Sequence, residues 1–164
     1  MNTRAALAIT TLLLPLALGA PRPAGVDPVF RSIVDELRQK TRIAVRLPAK
    51  LPDLGQGSDR VYAVLEHAEP GSYSVVLAFT PDCNGASFCR IGSLTGSAAS
   101  SKRSKGKQIR LARGVKGYYT EAVCGANCPD SIISWKEGPN EYTAGIKGGG
   151  EADVAALANA VLAQ

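Results

Sequence analysis

The chain has one histidine, one tryptophan and only 5% aromatic residues. With so few large rings, a core must be built mostly from Val, Leu, Ile and Ala, and covalent staples gain importance in so thin a core. A Ser-His-Asp or Cys-His hydrolase would have to use His67, which sits among Glu66 and Glu69 without a G-x-S-x-G elbow. A surface residue at a strand end is the better reading of it. No C-x-x-C unit is present, which argues against thioredoxin-like redox chemistry and the usual zinc-ribbon spacing. Acidic residues do not recur at a calcium-loop spacing. There is no internal repeat, and no apolar run after the first twenty residues approaches membrane-spanning length.

What is present fits one domain of ordinary size: 164 residues, 45% hydrophobic and 20% charged. Residues 1–19 read as a secretory signal. Arg4 forms a positive start, residues 5–18 an apolar stretch, and Ala17 and Gly19 place small residues before the cut. An uncleaved membrane anchor is the alternative. Removing Arg4 leaves 18 basic and 14 acidic residues, a mature charge of +4. Residues 20–27 are a Pro/Gly-rich lead-in, and 28–163 form the single domain. An exported chain with four cysteines, Cys83, Cys89, Cys124 and Cys128, is expected to hold two disulfides. Local bridges, 83–89 and 124–128, are the first choice because each closes a Gly-containing turn. Bridges between the two brackets, or one zinc held by four thiolates, are the alternatives.

Hydrophobic periodicity supplies the elements. Asp27-Pro28 opens a helix over 28–40 whose stripe is Phe30, Ile33, Val34 and Leu37. Strands are predicted at 43–47, 61–66, 72–80, 88–94, 108–112, 115–123, 132–136 and 141–147, with turns marked by Gly, Pro and Asn. In 72–80, period two puts Tyr73, Val75, Leu77 and Phe79 on one face and a semi-polar set on the other. The 132–147 hairpin pairs Trp135 with Tyr142 and Ile133 with Ala144. Residues 151–162 form a second helix. The fold class is α+β: a single curved antiparallel β-sheet, an N-terminal and a C-terminal helix packed against it, and two disulfides.

Three surfaces are candidates for function. Asp82, Asn84, Gly85 and Phe88 make a turn-rich loop that is either turn chemistry alone or a rigid binding tip. Lys102, Arg103, Lys105 and Lys107 crowd a Ser/Gly segment, 96–107, read as an exposed hairpin loop that contacts an anionic surface or is merely solvated. No aromatic motif interleaves these charges, so nucleic acid is not an expected partner. Tyr62, Tyr73, Trp135, Tyr142 and one of Tyr118 and Tyr119 are core residues or the lining of a ligand-holding half-barrel. No catalytic residue, metal or cofactor is assigned.

The motifs FTPDCNGASFC, GVKGYYTEAVCGANC and SIISWKEGPNEYTAGIKGG, with the Ala-rich terminal helix, resemble an uncharacterised family of small exported bacterial proteins, mainly cyanobacterial. The last third, I-x-W, G-x-x-Y and helix, is similar to a domain of unknown function attached to anti-sigma factors, and more distantly to periplasmic lipoprotein carriers. These resemblances imply the same curved sheet and bring no established catalytic residues to carry over. The expectation is a monomeric, non-catalytic binding or structural module of the cell envelope, periplasmic or extracellular, whose partner is an envelope protein or an anionic surface. Rivals are a carrier with an apolar pocket lined by Tyr73, Leu77, Phe79, Trp135 and Tyr142, and an envelope-hydrolase inhibitor acting through the Cys83–Cys89 loop. An enzyme ranks last, because no paired acid, base or nucleophile is evident.

Overall fold

The computed structural model describes residues 25–54, 60–84, 86–100 and 105–163. The proposed signal, most of the lead-in, Gly85, Lys102 and Arg103 lie outside the described residues. Seven strands form one sheet: β1 Tyr62–Glu69, β2 Ser72–Ala78, β3 Arg90–Ala98, β4 Lys107–Arg110, β5 Lys116–Thr120, β6 Asp130–Glu137 and β7 Asn140–Lys147. Their spatial order is β1-β2-β3-β7-β6-β5-β4, and every neighbouring pair is antiparallel. Two helices, α1 Val34–Lys40 and α2 Glu151–Leu162, complete the α+β architecture expected above. The β6–β7 hairpin has the predicted register, with Trp135 opposite Tyr142 and Ile133 opposite Ala144.

Two elements differ from expectation for tertiary reasons. The predicted 28–40 helix opens as a 3-10 turn, Pro28–Phe30, and becomes α-helical only at Val34. Asp27 caps the turn, accepting from Val29 N at 3.1 Å, but its second oxygen accepts from Leu51 N at 2.8 Å. The first turn is thereby tied to a distant segment before the helix can straighten. The apolar stripe itself is buried as predicted, with Phe30 and Leu37 fully enclosed.

The predicted strand at 43–47 pairs with no strand. It crosses the helix-side face, where no ladder edge is available, with Ile43 and Val45 packed against the core. Tyrosine hydroxyls supply its hydrogen bonds instead. Tyr142 Oη donates to Ala44 O at 2.8 Å; Tyr73 Oη donates to Arg46 O at 3.1 Å and accepts from Arg46 N at 3.0 Å. These are the rings that a half-barrel would have offered to a ligand. Tyr73, Leu77, Trp135 and Tyr142 are at most 1% exposed, packed with Phe30, Leu37 and Leu47 and with Val154, Leu157 and Val161 of α2. The space required by the apolar-carrier reading is therefore occupied by the protein's own side chains. Tyr118 and Tyr119 point to opposite faces, and only Tyr119 is buried.

Burial pushes the Tyr73 hydroxyl well above its ordinary value of 10.0, the backbone bond at Arg46 offsetting this only in part. A raised folded-state pKa gives stability that is whole below pH 10 and is lost as pH rises beyond it. Each pH unit above 10 should cost about 1.4 kcal/mol from this group. Denaturant titrations at pH 9, 10 and 11 test this. Tyr73→Phe should flatten the alkaline slope by about one proton's worth, and an unchanged slope would refute the assignment.

The segment between β3 and β4 is not a hairpin, because β7, β6 and β5 lie between those strands. Lys107, assigned to that loop by sequence, is the first residue of β4. Its ammonium donates to Glu151 of α2 at 2.8 Å, which raises its pKa.

Candidate functional site: the groove between the disulfide loops

Both local bridges are present, Cys83–Cys89 and Cys124–Cys128, with Cα separations of 5.7 and 4.3 Å. All four sulfurs are thereby used, and a four-thiolate zinc site has no ligands. The two loops follow β2 and β5. Four antiparallel steps separate these strands, so they run in the same direction and deliver both loops to one end of the sheet.

The bridge of the first loop is anchored on the sheet. Cys83 and Cys89 are each 3% exposed and fold back onto Val76 and Ala78, on the sheet face opposite the helices. The face of β2 read as semi-polar is for that reason buried: Val76 and Ala78 are fully enclosed and Ser74 nearly so. Ser74 Oγ donates to Glu66 at 2.7 Å. Asp82 and Asn84 stay exposed, and Phe88 is 83% exposed. On the second loop Val123 is 88% exposed. These two are the exposed large hydrophobic side chains among the described residues.

Between the loops lies a groove of about 760 Å³. Ser87 belongs to one wall; Val123, Asn127 and Pro129 belong to the other. Its floor is made by outward residues of the central strands, among them Ser93, Thr95, Ile132 and Thr143. Asp130 organises this floor. It accepts from Arg90 Nε at 3.2 Å and Nη2 at 2.9 Å, and from Ser93 Oγ at 2.7 Å. Asp130 is on β6 and its partners are on β3, so the carboxylate must lean across β7. Gly145 makes this passage possible: a Cβ there would stand 2.9 Å from Asp130 Oδ2 and 3.1 Å from Ser93 Oγ. Lys147, cross-strand from Asp130, donates to Ser87 O and fastens the first loop to β7. The second loop is fastened by Ala122 N donating to Ser131 Oγ and Gly148 N to Pro129 O, each at 3.1 Å.

Arg90, Ser93, Asp130 and Lys147 were not singled out from the sequence. The signal was available: extending the 132–147 hairpin register by two residues places Asp130 opposite Lys147. What a linear reading lacks is the insertion of β7 between β3 and β6. Of the residues that were singled out, Asp82, Asn84 and Phe88 stay with the first loop, Lys105 is exposed, and Lys107 is diverted to α2. His67 is exposed and has Ser72 Oγ 3.5 Å from Nε2. Among the described residues no three of His, Cys, Asp and Glu converge as a metal site, and no helix is long and apolar enough to cross a membrane.

The two bridges differ in access. Cys83 and Cys89 are buried, whereas Cys124 is exposed. Attack by a reducing thiolate depends on access. In a graded dithiothreitol series followed by alkylation and peptide mapping, Cys124 and Cys128 should label first. Earlier labelling of Cys83 would refute this.

No protein-family model, curated protein or solved structure matches the chain, so its own geometry carries the functional reading.

Proposed function

We propose that the protein is an exported, non-catalytic binding module of the bacterial cell envelope, and that its working surface is the groove between the two disulfide loops. One observation carries this reading. Both helices serve one face of the sheet, while the opposite face ends in a cleft walled by two covalently closed loops that hold Phe88 and Val123 in solvent. Loops closed by bridges lose little conformational freedom on binding, which favours their use in recognition. Disulfides suit an oxidising compartment, consistent with the leader-like residues 1–19. The inhibitor alternative rests on the Cys83–Cys89 loop alone, whereas the groove draws on residues of both loops.

The test is site-specific photo-crosslinking in cells exporting the full chain. A photoreactive residue in place of Phe88 should give discrete adducts with envelope components. The same residue in place of Ala156, exposed on α2, should not. Equal crosslinking from both positions, or a cytosolic chain with reduced thiols, would overturn the proposal.

A further inference from the structure

We infer that the groove takes a peptide segment bearing a carboxylate between apolar side chains, with Lys147 as the group that recognises the charge; this rests on the binding-module reading above. The groove is lined by two cations, Arg90 and Lys147, and one carboxylate, Asp130. Arg90 spends its charge on Asp130 in a two-bond pair, and Ser93 adds a third bond to that carboxylate. Lys147 has no such partner: among the described residues no carboxylate lies within 4.0 Å of its ammonium, which makes one bond to the neutral carbonyl of Ser87. An ammonium carries three donors, so two remain for a ligand. The cleft thus presents one uncompensated positive charge, half-buried, where an anion gains more than it would on an open surface.

The surroundings favour a peptide over a lipid surface. The charge lies in a cleft between walls, whereas a membrane meets projecting surfaces. The floor offers hydroxyl groups, Ser93, Thr95 and Thr143, and the second wall an amide, Asn127, which can bond a backbone's N–H and C=O groups. Val123, 88% exposed, lines the groove, and Phe88, 83% exposed, follows the lining residue Ser87 on the other loop; both offer apolar contacts for side chains flanking the carboxylate. Desolvated apolar anchors beside a polar centre are the usual arrangement of a peptide-recognition surface.

The experiment selects a phage-displayed library of random peptides on the oxidised, processed protein and measures the winners by fluorescence anisotropy. The enriched peptides should carry Asp, Glu or a free C-terminus between apolar residues. Lys147→Met should weaken their binding by about tenfold or more, the size expected for a charged hydrogen bond in a cleft. Lys147→Glu should select basic peptides instead. Val123→Asp, which leaves Lys147 and both bridges intact, should also weaken the acidic winners. Tryptophan fluorescence and non-reducing mass analysis establish that each variant is folded and bridged. Peptides that are sensitive to Val123→Asp but have no acidic bias, or that ignore Lys147→Met, overturn this inference and leave the binding module standing. If vesicles of phosphatidylglycerol bind and no peptide is enriched, the partner class is wrong. If neither binds and Phe88 gives no adducts in cells, the module reading falls with it.

Discussion

Asp130→Ala should destabilise the protein by about 2–4 kcal/mol, among the largest single-residue effects expected outside the apolar core. Removing one member of a buried ion pair costs about 3–5 kcal/mol because the remaining charge loses its compensation. The Asp130 side chain is 8% exposed and Arg90 is 26% exposed, so water recovers part of that loss at the guanidinium. Ser93 also loses its acceptor, a group buried to within 5% of its surface. A double variant, Arg90→Met with Asp130→Leu, removes both charges and should lie much nearer the wild type, since an apolar pair of similar volume often replaces a buried ion pair without loss. Urea unfolding of the wild type, Arg90→Met, Asp130→Leu and the double variant closes the cycle, with Asp130→Ala measured beside it. A single Asp130→Ala change costing under about 0.5 kcal/mol, the level of an ordinary surface substitution, would show that this contact does not hold the groove floor.

Removing the Cys83–Cys89 bridge should cost more than removing Cys124–Cys128, although both close short loops. Chain entropy alone predicts about 2 kcal/mol for loops of this length, slightly more for the separation of 6 residues than for 4. The difference between them comes from what the loops cover. Cys83 and Cys89 are the lid over Val76 and Ala78; if the loop swings away, that apolar surface meets water. Cys124 already faces solvent and uncovers little. The expected losses are about 3–4 kcal/mol for Cys83→Ala with Cys89→Ala, and about 2 kcal/mol or less for the second pair. Urea midpoints measure this, and binding of an apolar dye should rise only in the first double variant. Equal losses, with no dye binding, would mean that the first loop is a tether and not a cover.

These effects rest on features of unequal legibility. The hairpin over 132–147 is readable because Trp135, Ile133, Tyr142 and Ala144 alternate on both sides of a Gly-Pro turn, and register follows from the turn; the structure extends it to Asp130. The α2 span was readable from its apolar spacing and the acidic residues of its first turn. Segment 43–47 misled for a physical reason. Its residues prefer extended backbone, but a strand also needs a free ladder edge, and the segment pairs with none. It lies instead under Tyr73 and Tyr142, whose hydroxyls act in place of one. The 96–107 segment misled because composition identifies a connection without saying which strands it connects.

The amino-acid order by itself determined local matters: which residues extend or coil and which stripe of each helix is apolar; it favoured local bridges, and the structure decided them. These depend on near neighbours, whose energies act over a few residues. Only the tertiary structure decided that β7 enters between β3 and β6, that Gly145 opens a path for Asp130 to Arg90, and that Cys83 and Cys89 pack on the sheet. Those outcomes depend on contacts between residues 37 to 60 positions apart, such as Ser93 with Asp130 and Ser87 with Lys147. Chain folding must bring such groups together before their chemistry can act, and no pattern along the chain encodes that meeting directly.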